Sequence, residues 1–270
     1  MSNPRSQSSP TANHPAVDHG RALLKEAARR ADRYLDGLEE RSVFPKPDAL
    51  EGLKSFDEPL PADPQDPFET LAILDEAGSP ATVTSASGRY FGFVIGGSLP
   101  VALGANVLAA AWDQNAGLKS ASPVTAKLEK VALGWLLDVL GLPAGAGGGF
   151  VTGATMANFG GLAAARHAIL RQAGWDVEAK GLFGAPPITV VVGEEVHVSL
   201  LKALSLLGFG RERVVRVPVD NQGRMLAQSM PRLAGPTLVC IQAGNVNSGA
   251  FDPAAAIIRQ AHETGAWVHV

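Results

Sequence analysis

The sequence predicts an α/β fold in which a mostly parallel β-sheet follows an N-terminal helical arm. The first observation is that short β-rich runs alternate with helical patterns in the second half of the chain, which is typical of a parallel sheet covered on both faces. The second is that helical patterns and a proline-rich stretch fill the first half. The third is the composition, because 46% of the 270 residues are hydrophobic and 18% are charged, as in a globular protein with a substantial core.

The composition also limits the partners and the compartment. The formal net charge is −3 at pH 7 and no basic run is present, so the chain lacks the electrostatic footprint of a nucleic-acid-binding protein. The single cysteine, Cys240, rules out an intrachain disulfide and fits a reducing compartment such as the cytoplasm. Residues 1–20 are polar and lack the apolar core of a signal peptide, so we predict a disordered tail there.

The helices are predicted from apolar residues that recur at helical spacing, with proline and glycine at their ends. The predicted helices are 17–42, 68–77, one opened by Pro123 and closed by Gly141 and Pro143, 156–173, 199–207 and 253–264. The predicted strands are Gly149–Thr152, Ile188–Val192, Arg213–Val217, Thr237–Gln242 and Trp267–Val270. Residues 43–68 hold six prolines, so we predict an extended connection between the first two helices.

An uncharged stretch over residues 91–112 requires a membrane check, because its 22 positions are long enough to cross a bilayer. Four glycines, Pro100 and Asn106 interrupt it, and most of its second half is alanine rather than leucine. We therefore predict no membrane span. The stretch is predicted to be a loop followed by a buried helix that begins near Pro100, since proline suits the first helical turn.

These elements predict three parts: a disordered tail at 1–20, a helical and proline-rich arm at 21–85, and a large domain at 86–270. The arm's helix, 17–42, has too little chain around it to bury its apolar stripe. We therefore predict that the arm packs on another surface.

A glycine-rich turn, residues 147–158, leads into the predicted helix 156–173. Such a turn presents unpaired backbone N–H groups and the positive end of a helix dipole, which together bind phosphate, and Thr155 can add a hydroxyl donor. The spacing matches neither a Walker loop nor a dinucleotide-binding fingerprint. A plain strand-to-helix turn capped by Thr155 explains the same residues, and the pattern does not decide between these two interpretations.

A histidine follows the next predicted strand. His197 comes after Ile188–Val192, so its ring is expected at the carboxyl edge of the sheet, where ligands of open α/β sheets bind. The alternative is that His197 only caps the helix that follows. Glu194-x-x-His197 is half of a carboxylate metal site, but the sequence contains no second copy, so we predict no metal.

Two more candidates follow the predicted strand Thr237–Gln242. Asn245 and Val246 lie at its carboxyl end, where they can touch a ligand. Asp252 precedes Pro253 and is predicted instead to be the N-cap of helix 253–264.

Five segments, taken in order, resemble the group II pyridoxal-phosphate (PLP)-dependent amino acid decarboxylases. These segments are Tyr90–Phe93, Ser122–Glu129, Gly153–Asn158, Val196–Ser199 and Gly249–Pro253. The family includes aromatic amino acid, glutamate and diaminobutyrate decarboxylases, and it has the aspartate aminotransferase fold (PLP fold type I). The resemblance runs from about residue 20 to the last residue.

The resemblance implies a role for each matched position. The glycine-rich turn is expected to hold the cofactor phosphate, and the ring of His197 is expected to stack on the pyridine ring. Two residues after the strand Thr237–Gln242 are expected near the cofactor, and residues around Tyr90–Phe93 at the substrate entrance. The expected cofactor-binding residues are Gly153, Ala154, Thr155, His197, Asn245 and Val246, and the expected substrate-binding residues are Tyr90, Phe91, Phe93 and Pro100. Two positions depart from the family pattern: Met156 replaces a frequent glutamate and Val246 a frequent threonine, for which the neighbouring Asn245 can compensate.

The resemblance also implies an activity and an assembly. The expected reaction is decarboxylation of an L-amino acid to its amine and CO₂ by an obligate cytoplasmic homodimer. The alternatives are another PLP reaction on the same fold, such as transamination or desulfuration, and a non-catalytic interaction protein. In the family an aspartate follows the W-x-H-V strand and the Schiff-base lysine comes farther on. The sequence stops at Val270, so we expect a C-terminally truncated and, as given, inactive enzyme with an incomplete sheet.

Overall fold

The structure, a computed structural model, describes residues 15–270. The greater part of the predicted tail at 1–20 therefore lies outside the described residues. The chain divides into two compact units, of which the first ends at Trp112 and the second is Asp113–Val270.

The first unit is helical, with prolines at the start of its helices. Its helices are α1 (Pro15–Asp36), α2 (Pro47–Gly52), α3 (Pro67–Gly78) and α4 (Pro100–Trp112). Helix α1 is shorter than the predicted 17–42, because Gly37 follows its last residue and the chain then turns. At α3, the side chain of Asp66 accepts a hydrogen bond from the backbone N–H of Phe68, 2.8 Å away, which caps a helix that Pro67 begins.

An ion-pair cluster joins α1 to α3. The guanidinium of Arg30 donates to the carboxylate of Asp75 over 2.9 Å, and Arg33 pairs with the same carboxylate. The hydroxyl of Ser79 and these arginines hold the pKa of Asp75 below its usual value. The cluster fixes α1 and α3 against each other.

Helix α4 begins at Pro100, as predicted, and its burial at an interface or beside a ligand stays a prediction. None of its residues is buried, and Val101 is 76% exposed. The apolar composition of a helix indicates that it is buried against another surface, but it does not indicate which surface. Across residues 15–270, no helix is both long and apolar enough to span a membrane.

The second unit is an α/β structure built on a four-stranded parallel sheet. Its helices are α5 (Pro123–Val139), α6 (Ala154–Gln172), α7 (Val177–Lys180), α8 (Val198–Leu206) and α9 (Ala254–Glu263). Its strands are β1 (Thr189–Gly193), β2 (Val215–Val217), β3 (Thr237–Cys240) and β4 (Trp267–His269), in the order β2-β1-β3-β4. Four of the five predicted strands are thus confirmed with small changes at their ends.

The predicted strand Gly149–Thr152 is wrong, because these residues pair with no strand in the part of the chain that the structure describes. Glycines at 147–149 explain the difference, since glycine loses the most conformational freedom on being ordered and offers no side chain to pack.

The sheet is covered on both faces, as the alternation of strands and helices predicts. Register pairs Val215, Val191, Val239 and Val268 in one row across all four strands. Val191 and Val239 face α9, whereas their neighbours on β1 and β3 face α6 and α8. β-Branched side chains of this kind suit strands that are buried on both sides.

Candidate functional site

The candidate site lies at the carboxyl edge of the sheet. The loop after β1 leads into α8, the loop after β3 leads into α9, and β4 ends at the same edge, because all four strands are parallel. A hydrogen bond from the end of β4 to the first turns of α6 brings the start of that helix to this edge as well. The site described below is built from the second unit alone.

The N-terminus of α6 is open. Gly153 precedes the helix without a capping side chain, and the first turn carries no acidic residue. The backbone N–H groups of Ala154, Thr155 and Met156, and the hydroxyl of Thr155, form no hydrogen bond with any residue in 15–270. The interpretation of Thr155 as a cap is therefore wrong. A Cβ built on Gly153 meets no atom within 4 Å, so the space in front of the helix is free.

His197 caps a helix and keeps its ring at the surface. It is the N-cap of α8, because its Nδ1 accepts a hydrogen bond from the backbone N–H of Ser199 over 3.2 Å. The hydroxyl of Ser199 lies 2.8 Å from the same nitrogen. The ring is nevertheless exposed. Capping is confirmed, while stacking on a cofactor stays a prediction.

Three residues that the sequence interpretation missed connect this histidine to the rest of the sheet edge. Asn158, one turn into α6, donates through Nδ2 to the hydroxyl oxygen of Ser199 over 3.1 Å. The Nε2 of His269, on β4, lies 2.9 Å from Oδ1 of Asn158. Asn158 and Ser199 both lie in segments that carry the family resemblance. Asn158 also follows Ala154 by about one helical turn, and this spacing could have predicted its place at the site.

The ring of His269 packs closely on α6. A Cβ added at Gly161 would lie 3.0 Å from Cε1 of His269, so a larger residue would require the ring to move by a few tenths of an ångström. Burial lowers the pKa of His269 below its usual value, because the charged form loses its hydration. The ring is therefore held neutral at physiological pH.

The side chain of Asn245 is used in hydrogen bonds to nearby loop residues. It is 6% exposed, its Oδ1 accepts hydrogen bonds from the backbone N–H groups of Asn247 and Ser248, and its Nδ2 donates to Glu195 over 3.0 Å. Its neighbour Val246 is half-exposed. Contact of either residue with a cofactor stays a prediction, for which Val246 has the freer side chain.

Asp252 is not the N-cap of α9, so that prediction is wrong. The helix begins at Ala254 without a side-chain cap. The buried carboxylate of Asp252 instead accepts hydrogen bonds from the backbone N–H groups of Met225 and Gln242, both over 2.7 Å. Two buried donors compete more strongly for a carboxylate than a solvent-facing helix end does.

The predicted substrate-binding residues belong to the first unit. Phe91 and Phe93 are 92% and 86% exposed, and Pro100 begins α4. Phe93 and Val94 adopt positive φ values of 55° and 57°, which cost energy for residues with a side chain and are concentrated at functional sites. Their contact with a substrate stays a prediction.

The single cysteine of the chain offers no reactive thiol at this edge. Cys240 is buried in β3, and loss of hydration raises the pKa of its thiol to about 12, so it stays protonated. Residues 15–270 contain no group of three or more histidine, cysteine, aspartate or glutamate side chains placed to hold a metal ion. The edge therefore offers hydrogen-bond donors and an exposed ring, a donor set suited to an anionic, ring-bearing molecule.

Comparison with known proteins gives the same picture. A family model, the pyridoxal-dependent decarboxylase conserved domain, matches residues 59–270. Tryptophan decarboxylase 1 of Oryza sativa subsp. japonica is 30% identical over 277 residues, which cover 94% of this chain and 53% of that protein. The chain thus spans about half the length of this curated relative.

Solved structures show the same fold. The crystal structure of Oryza sativa TDC with PLP and tryptamine matches with a TM-score of 0.80 at 26% identity, over 98% of this chain and 56% of that one. The crystal structure of mouse CSAD matches with a TM-score of 0.83 at 24% identity, over 96% of this chain and 55% of that one. By its sequence, its parallel-sheet fold and these matches, the chain belongs to the pyridoxal-dependent decarboxylase family.

Proposed function

We propose that this chain forms the cofactor-binding part of an enzyme that decarboxylates an L-amino acid to its amine and CO₂ with pyridoxal 5′-phosphate. The observation that carries the proposal is the open N-terminus of α6 at the same sheet edge as the exposed ring of His197. Membership of the decarboxylase family favours this reaction over transamination or desulfuration on the same fold.

The residues present fit the cofactor. The N–H groups of residues 154–156 and the dipole of a 19-residue helix suit a phosphate dianion, and the hydroxyl of Thr155 adds a donor. Open space at Gly153 lets the phosphate approach the backbone. His197 offers its ring face, and its position as N-cap of α8 holds that ring in place.

The chemistry divides between the cofactor and the chain. Bound PLP supplies an electron sink for the electron pair that is left when CO₂ departs. The chain's own residues anchor the phosphate through α6 and hold the ring of His197 at the sheet edge. We place Asn245 and Val246 near the cofactor, with Tyr90, Phe91, Phe93 and Pro100 at the substrate entrance.

We further propose that residues 1–270 alone bind PLP weakly and do not release CO₂. The chain has eight lysines, and none stands in a sequence context like that of the lysine that the family uses to hold the cofactor covalently. Lys202, the lysine on α8, is exposed on that helix. Residues that act together in catalysis are not partly dispensable, so anchoring the phosphate without the covalent link gives no turnover.

The assembly proposed is a cytoplasmic homodimer. Each unit exposes an apolar helix surface: α4 has no buried residue, and on α5 the side chains of Trp135 and Val139 are largely exposed. Exposed apolar side chains on a helix are typical of an interaction surface when they lie together. The single, buried Cys240 fits a reducing compartment. A monomer by light scattering at micromolar concentration, still active, would contradict the dimer.

The test of the activity uses the natural polypeptide that contains residues 1–270, supplied with PLP and a panel of carboxyl-labelled aromatic, acidic and basic L-amino acids. Release of labelled CO₂ with formation of the matching amine supports decarboxylation, and a keto acid product would overturn it. The His197→Gln variant is expected to lose most of the rate while keeping the N-cap acceptor of α8. Residues 1–270 alone, assayed in parallel, are expected to release no CO₂ above the free-cofactor background.

A further inference from the structure

A chain of four side chains runs along the carboxyl edge of the sheet, from β4 through α6 to the cap of α8. Its members are His269, Asn158, Ser199 and His197, joined by contacts of 2.9, 3.1 and 2.8 Å. We infer that Asn158 and Ser199 are positioning residues that determine which nitrogen of His197 carries its proton. The importance of that proton for the cofactor rests on the proposed function, but the proton's position does not.

The direction of this hydrogen-bond chain is decided at one end. Imidazoles and hydroxyls can each donate or accept, and a side-chain amide can do both, so these groups alone allow the chain to run either way. The backbone N–H of Ser199 can only donate, and it points at Nδ1 of His197 over 3.2 Å. Nδ1 is therefore an acceptor, and it carries no proton.

The other three bonds follow from that assignment. The hydroxyl of Ser199 donates to the same Nδ1 and accepts, through its oxygen, from Nδ2 of Asn158. The amide oxygen of Asn158 is then left to accept from Nε2–H of His269. Each donor then has an acceptor, and all four bonds are satisfied with the protons running in a single direction.

The surroundings make this direction hard to reverse. Ser199 is 6% exposed, so water does not offer its hydroxyl another acceptor. His269 packs closely on Gly161 of α6, where an added Cβ would lie 3.0 Å from the ring, and burial keeps the ring neutral with one proton to donate. If the hydrogen-bond chain ran in the opposite direction, a buried donor would lose its acceptor, and this loss costs more free energy than one hydrogen bond contributes.

The consequence is a defined tautomer at the exposed end. With Nδ1 occupied by two donors, the proton of neutral His197 is on Nε2, which has no hydrogen-bond partner among residues 15–270. His197 therefore presents an N–H donor, not a lone pair, to whatever binds at this edge. The last strand, β4, contributes to the site through this chain of bonds without reaching it directly.

The experiment measures ring nitrogen shifts by NMR in the protein labelled with ¹⁵N-histidine, without cofactor, at a pH where His197 is neutral. His197→Gln assigns its signals by their disappearance. We expect Nδ1 of His197 to resonate as an unprotonated nitrogen and Nε2 as a protonated one. The opposite assignment, or an even mixture of the two tautomers, would overturn the inference. PLP is absent, so failure of PLP binding or decarboxylation leaves this result unaffected.

A matched pair of variants tests the positioning role. Asn158→Asp keeps the shape but only accepts, so it draws the hydroxyl proton of Ser199 away from His197. The backbone N–H of Ser199 then remains as the one donor to Nδ1, and the Nδ1-protonated fraction of His197 should rise without becoming complete. Asn158→Leu removes the bond without reversing it, so the Nε2–H form should persist. Equal spectra for the two variants would contradict the inference. Amide signal dispersion checks folding, and the unmodified protein's spectrum decides the tautomer even if Asn158→Asp does not fold.

Discussion

The two halves of the carboxyl edge differ in how they use their polar groups. Beside β3, the carboxylate of Asp252 and the amide of Asn245 are buried, and both are bonded to neighbouring backbone or side chains. Beside α6, three backbone N–H groups and the hydroxyl of Thr155 have no partner in residues 15–270. The β3 half therefore holds the loops together, whereas the α6 half is free to bind a ligand. Substitutions in the two halves should therefore affect different quantities.

The largest expected effect is loss of stability from Asp252→Ala. The variant removes two hydrogen bonds to a carboxylate and leaves the N–H groups of Met225 and Gln242 buried without an acceptor. We expect the free energy of unfolding to fall by about 4 kcal/mol, as measured by urea denaturation. Asp220 is the matched control, since it also accepts from two backbone N–H groups but on the surface, and Asp220→Ala should cost clearly less. Equal losses would contradict the division into two halves.

The next expected effect is steric, and it also concerns the β3 half. Gly223 has a φ of +74°, and a Cβ there would lie 2.4 Å from both Nδ2 of Asn245 and a carboxylate oxygen of Glu195. Gly223→Ala should therefore lower the free energy of unfolding by about 3 kcal/mol, from the left-handed backbone and the overlap together.

Gly141→Ala isolates the backbone contribution, because Gly141 has a φ of +63° and open space around its Cβ position. We expect this control to cost only about 1 kcal/mol. If both alanine variants unfold at the same urea concentration, the contact between Asn245 and Glu195 does not constrain the loop.

Substitutions in the α6 half should change the affinity for the ligand and leave the stability of the fold unchanged. Thr155→Val removes a hydroxyl that bonds nothing within the described chain, so the free energy of unfolding should change by less than about 0.5 kcal/mol. The dissociation constant for PLP, measured by calorimetry, should rise about tenfold, because a hydrogen bond to a charged group is lost. Thr189→Val, an exposed threonine at the opposite edge of the sheet, should change neither. Loss of stability without loss of affinity in Thr155→Val would reverse the assignment.

The smallest effect is a pH dependence of stability. The pKa of His269 is lowered in the folded state from its ordinary 6.5, so the unfolded chain binds a proton more readily. The contribution of His269 is complete above about pH 6.5 and is lost as the pH falls through its lower folded pKa. Melting temperatures measured from pH 7.5 down to 5 should therefore fall less steeply in His269→Gln than in the unmodified protein. Identical slopes would show that burial of this ring is not linked to protonation.

The sequence predicted the parallel sheet and the start of most helices, because β-branched runs, prolines and glycines act locally. It failed at Gly149–Thr152, where a β-like pattern contains too much glycine to form a strand. It failed at Asp252 because the competing donors come from Met225 and Gln242, which lie 27 and 10 residues away along the chain. Such contacts depend on tertiary packing and have no local signal.

The candidate site was predicted unevenly for the same reason. His197 and the turn at 153–155 were found because each follows a recognisable strand or glycine run. Asn158 and Ser199 were missed, although they stand beside those residues, because their hydrogen bonds cross from one helix to another. His269, 111 residues from Asn158, becomes a neighbour only when the sheet has formed.

Amide NMR measures directly whether the open N-terminus of α6 binds the cofactor phosphate. In a ¹⁵N-labelled protein, the N–H signals of Ala154, Thr155 and Met156 should shift on addition of pyridoxal 5′-phosphate and, more weakly, of inorganic phosphate. Pyridoxal, which lacks the phosphate, should leave these three signals in place. Shifts of equal size with pyridoxal, or shifts confined to residues elsewhere in the chain, would contradict the claim.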